Sequence, residues 1–361
     1  MRHRRRMATR RHRWDPVATS PGPLVHPVPL DPTGRAGPTR GQARGSGWRQ
    51  SSYGFYVPVV VDGSRPEQRI LEQSMRLPPG GAVTGWASLR LQGAHLVDGL
   101  EPDGATSVPV PLAVGADARL RESPEVVLLR DRLPPDEVRL VHGIPCTLPE
   151  RGAFDAARMA SDLMEACVAL DMAFAGEVTS LSRMRASGDD RAGWKGVPLV
   201  REALELACEH SWSPNETRMR MIWQLEAGLP PPLVNRPLFD RGGRLLGYPD
   251  LLDVESGLVG EFDGADHRSA VRHADDVGRE ATLRNHRLEV VRVTGPDLLH
   301  RPRVSSRLEA ARCRALWLPP ERRPWTTQSP QDWDPGPTLD QRLDHRDLMR
   351  AAEQSWLASS S

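Results

Sequence analysis

The sequence predicts a mixed α/β protein of the α+β kind, and three observations carry that expectation. Short runs rich in β-branched residues alternate with stretches whose apolar residues recur every three or four positions. Clusters of Gly, Pro, Asp and Ser punctuate the boundaries between them. At 361 residues the chain is long enough for two modest domains with flanking segments.

Composition narrows the function classes. The formal net charge is +1 and the apolar fraction 39%, and no run approaches the roughly eighteen apolar residues of a membrane span. Neither a membrane protein nor a globally basic DNA coat is expected. Cys146, Cys167, Cys208 and Cys313 are far apart, with no CxxC pair. That spacing favours free thiols in a reducing cytoplasm and argues against zinc. Nearly all basic residues are arginine; Lys195 is the only lysine.

Residues 1–50 are rich in Arg, Pro, Gly and Ser without apolar spacing, and are expected to form a disordered basic arm. Its opening MRHRRRMATRRHR lacks the apolar core of a signal peptide. It reads equally as an arm that touches nucleic acid or as an over-extended start, and it carries no function here. Residues 51–152 are expected to be a small α+β domain with order beginning at Tyr53. FYVPVVVD reads as a strand and RPEQRILEQSMRLP as a helix with Ile70, Leu71 and Met75 inward. GAVTGWASLRLQGAHLVDGL reads as a second helix; VPVPLAV, EVVLLR and EVRLVHGIPCTLP read as β segments. His95 and His142, among apolar neighbours, are expected in the core.

Residues 153–212 are expected to be a helical bridge. Ala157, Met159, Leu163, Ala166, Cys167, Leu170 and Phe174 form a stripe from Phe154 to Glu177, and a second helix runs from Val197 to His210. Trp194 is expected to pin the loop SGDDRAGWKG between them. The region 213–316 then opens on Ser213-Pro214-Asn215-Glu216, which has the form of a capping box with proline at the first helical position. Met219, Ile222, Trp223 and Leu225 supply the apolar face, and Gly228 with Pro230 stops the helix. The predicted order is helix, three-stranded meander, helix, strand, helix: LVNRPLFD, the two strands of LLGYPDLLDVESGLVGEFDGADHR, AVRHADDVGREATLRNH, LEVVRVT and PDLLHRPRVSSRLEAARCRALW. Residues 317–361 are expected to be a loose tail with one short helix near LMRAAEQSWLA.

The candidate chemistry lies on the hairpin Leu245–Arg268. On a strand, Glu261 and Asp263 share a face and Phe262 takes the other. A turn centred on Glu255-Ser256 brings Asp250 opposite Glu261. Three clustered carboxylates repel one another unless a proton or divalent cation neutralises them, so a Mg²⁺ site, with Mn²⁺ as substitute, is expected. Asp250 and Glu261 would bind the ion directly, and Asp263 a second ion or a bound water. The bland counterparts are explicit. Glu216 satisfies a helix cap with or without metal, Asp253 and Glu255 read as turn residues, Asp266 and Asp275 as solvated charges, and His267 reads equally as a surface residue.

Pro249-Asp250, ten residues, then Glu261-Phe262-Asp263 resembles the PD-(D/E)XK superfamily, across about Ser213 to Leu316. EFDGADH is similar to the branch of very-short-patch-repair-like domains, with Asp276 and Arg279 on the next helix. Tyr53 to Leu316 as a whole resembles an actinobacterial family whose N-terminal part is likened to AbiEi-type antitoxins. The resemblance implies a restriction-endonuclease-like core, a DNA substrate, Mg²⁺-dependent phosphodiester hydrolysis, and metal-binding roles for Asp250, Glu261, Asp263 and Glu216. It also implies that His267 transfers a proton and Arg279 engages phosphate, and it leaves room for a protein partner on the N-terminal domain. One departure matters: Asp263 stands where the superfamily carries its lysine, and Lys195 lies outside this region. The expectation is therefore a histidine-assisted endonuclease. The alternative is a catalytically inactive DNA-binding or antitoxin-like regulator that keeps the fold.

Overall fold

The computed structural model describes residues 23–187, 191, 193–264 and 280–359. Two units divide the chain: residues up to Met159 with Ala186–Val197, and Ala160–Arg185 with Pro198–Ser361. The architecture is mixed α/β, with several small sheets and helices packed on them. Among the described residues no helix is long and apolar enough to cross a membrane.

The first unit begins well before Tyr53. Strand β1 (Val28–Pro29), helix α1 (Arg40–Ala43) and strands β2 (Trp48–Ser52) and β3 (Phe55–Pro58) give a three-stranded sheet of order β1-β3-β2. The expected disorder over 23–50 is therefore corrected, and residues 1–22 lie outside the described residues. Turn chemistry organises much of this stretch, and Leu24 packs against the core of the unit. The Asp31 carboxylate accepts from the N–H groups of Thr33, Arg35 and Ala36, and the Ala36 bond above all lowers its pKa to about 2. Thr39 and Gln42 close a capping box on α1.

Helix α2 (Pro66–Ser74), β4 (Ala82–Val83), α3 (Gly85–Leu91), β5 (Val110–Ala113), β6 (Val126–Leu129), β7 (Val138–Val141), β8 (Ile144–Thr147) and α4 (Pro149–Arg158) complete the unit around a sheet of order β6-β5-β4-β8-β7. The expected second helix is in fact a strand followed by a helix. Gly85 has φ +54, and a Cβ there would lie 2.9 Å from Pro111, so the chain turns into α3 at a residue without one. Ile70, Leu71, Val83, Trp86, Leu112 and Ile144 fill the core. His95 and His142 are exposed, not packed. His142 and Gly143, at φ 51 and 79, form the two-residue turn between β7 and β8, where right-handed strand twist demands positive φ. Trp194 does pin its loop: its ring meets Phe154 edge-on at 6.0 Å and lies 4.4 Å from the Arg151 guanidinium.

The bridge over 153–212 is shared between the units, α4 belonging to the first and α5 (Leu163–Ala175) to the second. Asp162 interrupts the apolar stripe because its carboxylate accepts from Glu165 N at 2.9 Å and starts a new helix there. Helices α6 (Leu181–Ala186), α7 (Val197–Leu206) and α8 (Pro214–Met221) follow, the last running into a π-helical turn over Ile222–Glu226. Buried Asp171 ties α5 to α8 through Arg220 (2.8 Å) and Thr217 (2.9 Å). Leu225, expected inward, is exposed, because the π turn rotates it away from Met219, Ile222 and Trp223, which are buried.

Next come β9 (Leu233–Val234), β10 (Leu238–Asp240), β11 (Leu245–Gly247), β12 (Leu251–Asp253) and β13 (Leu258–Asp263). A helical stretch at 280–285 (α9), β14 (Glu289–Thr294), α10 (Gly295–Leu298), α11 (Arg301–Arg314), β15 (Trp325–Thr326) and α12 (Leu339–Ser359) close the unit. One sheet has the order β14-β13-β12-β9; β9, β12 and β13 run antiparallel in turn, and β14 lies parallel to β13. The expected LVNRPLFD strand breaks at Asn235, whose φ is 47, and at Pro237, which has no N–H to give. So β10 and β11 leave this sheet and form a second one with β15. The expected loose tail is corrected as well. Trp325 is buried with Leu238, Leu252, Val259, Leu283, Leu288 and Val290, and α12 spans 21 residues with Leu339 and Leu343 buried.

Candidate active site

The β12–β13 hairpin is set from its turn. Gly257, at φ +79, receives the chain, and its N–H donates to Asp253 O at 2.9 Å. The Asp253 carboxylate, 3% exposed, accepts from Glu255 N (3.0 Å), Ser256 Oγ (2.6 Å) and Arg312 Nε (2.9 Å). Burial works to raise this carboxyl, and the bonds from Ser256, Arg312 and Glu255 overcome it, holding it below the usual carboxylate range. Asp253 is thus a turn residue that also clamps α11 to the sheet.

From that turn the register runs Asp253↔Leu258, Leu252↔Val259, Leu251↔Gly260. One step further places Asp250 across from Glu261, as the turn spacing predicts. The ladder changes character there. The carbonyls of Pro249 and Asp250 turn to the N–H of Asn235 (3.1 and 3.2 Å), and the Asp250 side chain instead accepts from Phe262 N at 2.6 Å. This bond clasps the Asp250 carboxylate to the backbone between Glu261 and Asp263.

Glu261 and Asp263 point to the face that carries Leu252, Val259 and Val290 into the core, while Gly260 lies beneath Trp223 on the other. Both acids are half-buried. In the parallel pair with β14, Glu261 faces Arg292 and Asp263 faces Thr294. The Arg292 guanidinium lies 3.7 Å from Asp263 Oδ2 and 2.7 Å from Glu280 Oε2. Glu280 also accepts from Arg284 Nε at 2.8 Å, and that bond is the main cause holding its carboxyl below the ordinary value.

Glu216 sits at the edge of this group, 9% exposed. Ser213 Oγ accepts from Glu216 N at 3.2 Å, but the glutamate closes the box one residue early, accepting from Trp212 N at 2.9 Å. The same oxygen accepts from Asn235 Nδ2 at 2.8 Å. Asn235 therefore joins Glu216 to the backbone of Asp250, through its side chain on one side and its N–H on the other. Neither Asn235 nor Arg292 stands out in the sequence. Asn235 carries one faint signal, asparagine's tolerance of positive φ before a proline-bearing break; Arg292 becomes visible only through the β13–β14 register. His267 and Arg279 lie outside the described residues.

Mg²⁺ needs only one or two protein carboxylates and keeps its waters, and the facing acids Asp250 and Glu261 with nearby Asp263 meet that demand. Glu216 spends one oxygen on Trp212 and Asn235, which is a structural use. Among the described residues no group of three or more His, Cys, Asp or Glu is gathered closely enough to hold an ion by itself. No protein-family model matches the chain, no curated protein matches it, and no solved structure matches it.

Proposed function

We propose that the second unit is a metal-dependent, PD-(D/E)XK-like nuclease module that hydrolyses phosphodiester bonds in DNA. The observation that carries this reading is the register that sets Asp250 opposite Glu261, with Asp263 on the same face and Arg292 beside it. The sheet supports it: after the capped helix, β9, β12 and β13 run antiparallel, β14 lies parallel to β13 and α11 follows, with β10 and β11 set apart in a second sheet.

Asp250 and Glu261 would hold Mg²⁺ or Mn²⁺, with Asp263 beside them. Held there, a divalent cation would supply charge neutralisation and Lewis-acid activation of water. The chain's own residues do the rest. Phe262 N–H fixes the Asp250 carboxylate, and Asn235 with Glu216 fixes the backbone that presents it. Arg292 offers a fixed cation to a phosphate, which stabilises charge but accepts no proton at neutral pH. Proton transfer falls to His267 and a further phosphate contact to Arg279. The test is nicking of supercoiled plasmid with Mg²⁺ or Mn²⁺ by the wild type and by Asp250→Asn. Absence of metal-dependent cleavage on supercoiled, mismatched, methylated and single-stranded DNA overturns the enzyme reading.

A second reading is a non-catalytic DNA-binding or antitoxin-like regulator. Two observations favour it: the superfamily's lysine has no counterpart in this unit, and the described acids do not by themselves close around an ion. Its signature is a gel shift that survives EDTA and weakens with salt.

A further inference from the structure

A groove of about 570 Å³ runs between β14 and α11, lined by Val290, Val291, Ala310 and Ser306 and by four arginines, Arg292, Arg303, Arg307 and Arg314. No acid lines it. Three of the arginines come from α11 at positions 303, 307 and 314, which with Ala310 lie on one stripe of the helix at spacings of four, three and four. The fourth, Arg292, comes from the edge strand β14 and is also the cation beside Asp263.

The bland account is a row of surface ion pairs, and it covers only part of the row. Arg292 meets Glu280 at 2.7 Å, Arg307 meets Asp297 at 3.1 Å and Arg314 meets Glu289 at 2.8 Å, but these acids stand outside the groove. Among the described residues none pairs with the exposed Arg303. A peptide strand added to the edge of β14 is disfavoured, because outward carbonyls are already taken: Val290 O by Arg284 Nη2 at 3.2 Å, and Arg292 O by Arg307. What remains is a cationic trough with an apolar floor, suited to anions. From Arg303 to Arg314 it extends about 16 Å along the helix at 1.5 Å per residue. A single phosphate cannot span that. A nucleic-acid strand, with one charge per nucleotide, sets several phosphates along it.

We infer that the α11–β14 groove holds the phosphodiester backbone of one DNA strand and leads it past Arg292 to the carboxylates. The inference rests on the nuclease reading only in taking DNA as the polyanion; the groove itself is an electrostatic feature that works without metal.

The experiment measures binding of a fluorescent 25-base-pair duplex to the full chain in EDTA, over a salt series. Arg303→Gln with Arg314→Gln is expected to weaken binding at least tenfold at low salt. It should also flatten the log K against log salt slope by about 1.8, since two phosphate contacts are lost. Arg301→Gln with Arg322→Gln removes the same charge from exposed sites that do not line the groove, and is expected to leave the slope nearly unchanged. Inorganic pyrophosphate at matched phosphate concentration is expected not to displace the duplex. No wild-type binding at low salt, equal weakening by the two pairs, or displacement by pyrophosphate overturns the groove. Groove-dependent binding without Mg²⁺-dependent cleavage removes the nuclease reading and leaves the groove standing. Cleavage with binding indifferent to Arg303 and Arg314 does the reverse.

Discussion

The two ends of the β12–β13 hairpin carry the same residue type in opposite circumstances. At the closed end Asp253 is buried, accepts three hydrogen bonds and faces Arg312. At the open end Asp250, Glu261 and Asp263 lie half-buried on one face, with the Phe262 N–H on Asp250 and Arg292 3.7 Å from Asp263. The closed end fixes one carboxylate through three bonds. The open end sets three on one face without gathering them closely enough to hold an ion by themselves. One acid anchors the hairpin at its turn, and three others lie at its open end.

Asp250→Asn breaks the contrast most directly. It keeps the shape that Phe262 N–H meets but removes the charge. Cleavage is expected to fall about a thousandfold, ~4 kcal/mol of transition-state stabilisation, with thermal stability within about 1 kcal/mol of wild type. Both values come from the same preparations by plasmid nicking and thermal melting.

Asp253→Ala is the complementary change and should do the opposite. It strands Arg312 and the Ser256 hydroxyl, and about 3 kcal/mol of unfolding free energy should be lost in a urea titration. The pH dependence has a definite sign. Because the folded carboxyl is held below its ordinary value, its contribution is present above the unfolded pKa and disappears as pH falls through the folded one. The stability gap between wild type and Asp253→Asn should therefore be full at pH 7 and close below about pH 4.

Asn235→Ala tests the link between the open end and α8. It removes a donor to buried Glu216 and places alanine at φ 47, so a loss of about 2 kcal/mol is expected by chemical denaturation. Arg292→Gln is the mildest. Its ion pairs are partly exposed, so stability should change by less than about 1 kcal/mol, while cleavage drops about tenfold, ~1.4 kcal/mol. An Arg292→Gln protein that cleaves normally would remove this residue from the phosphate-binding role.

Much of the open end was legible in the chain. Alternation placed Glu261 and Asp263 on one face, and the Glu255-Ser256 turn placed Asp250 across from Glu261; a hairpin's register follows from its loop once the turn is known. Ser213 marked the start of α8 for the same local reason. The failures were non-local. The tail after Trp317 looked loose because Trp325 is a lone aromatic among prolines and arginines, and its burial depends on β10, more than eighty residues earlier. Residues 23–50 looked disordered because polar turn bonds around Asp31, not an apolar stripe, hold them. His142 looked like a core residue among Val and Ile, yet it occupies the tip of a hairpin.

The sequence by itself determined the alternation of strands and helices, the carboxylates on one face of a hairpin, and the placing of the one lysine, Lys195, outside this region, because these depend on neighbours two to four residues apart or on counting. Tertiary structure alone decided that β14 lies parallel to β13 and brings Arg292 to Asp263, that Asn235 joins Glu216 to Asp250, and that three arginines of α11 share a groove with a fourth from a strand. Those pairings join segments that only the packing of the sheet and its helices brings together, and no local pattern encodes them.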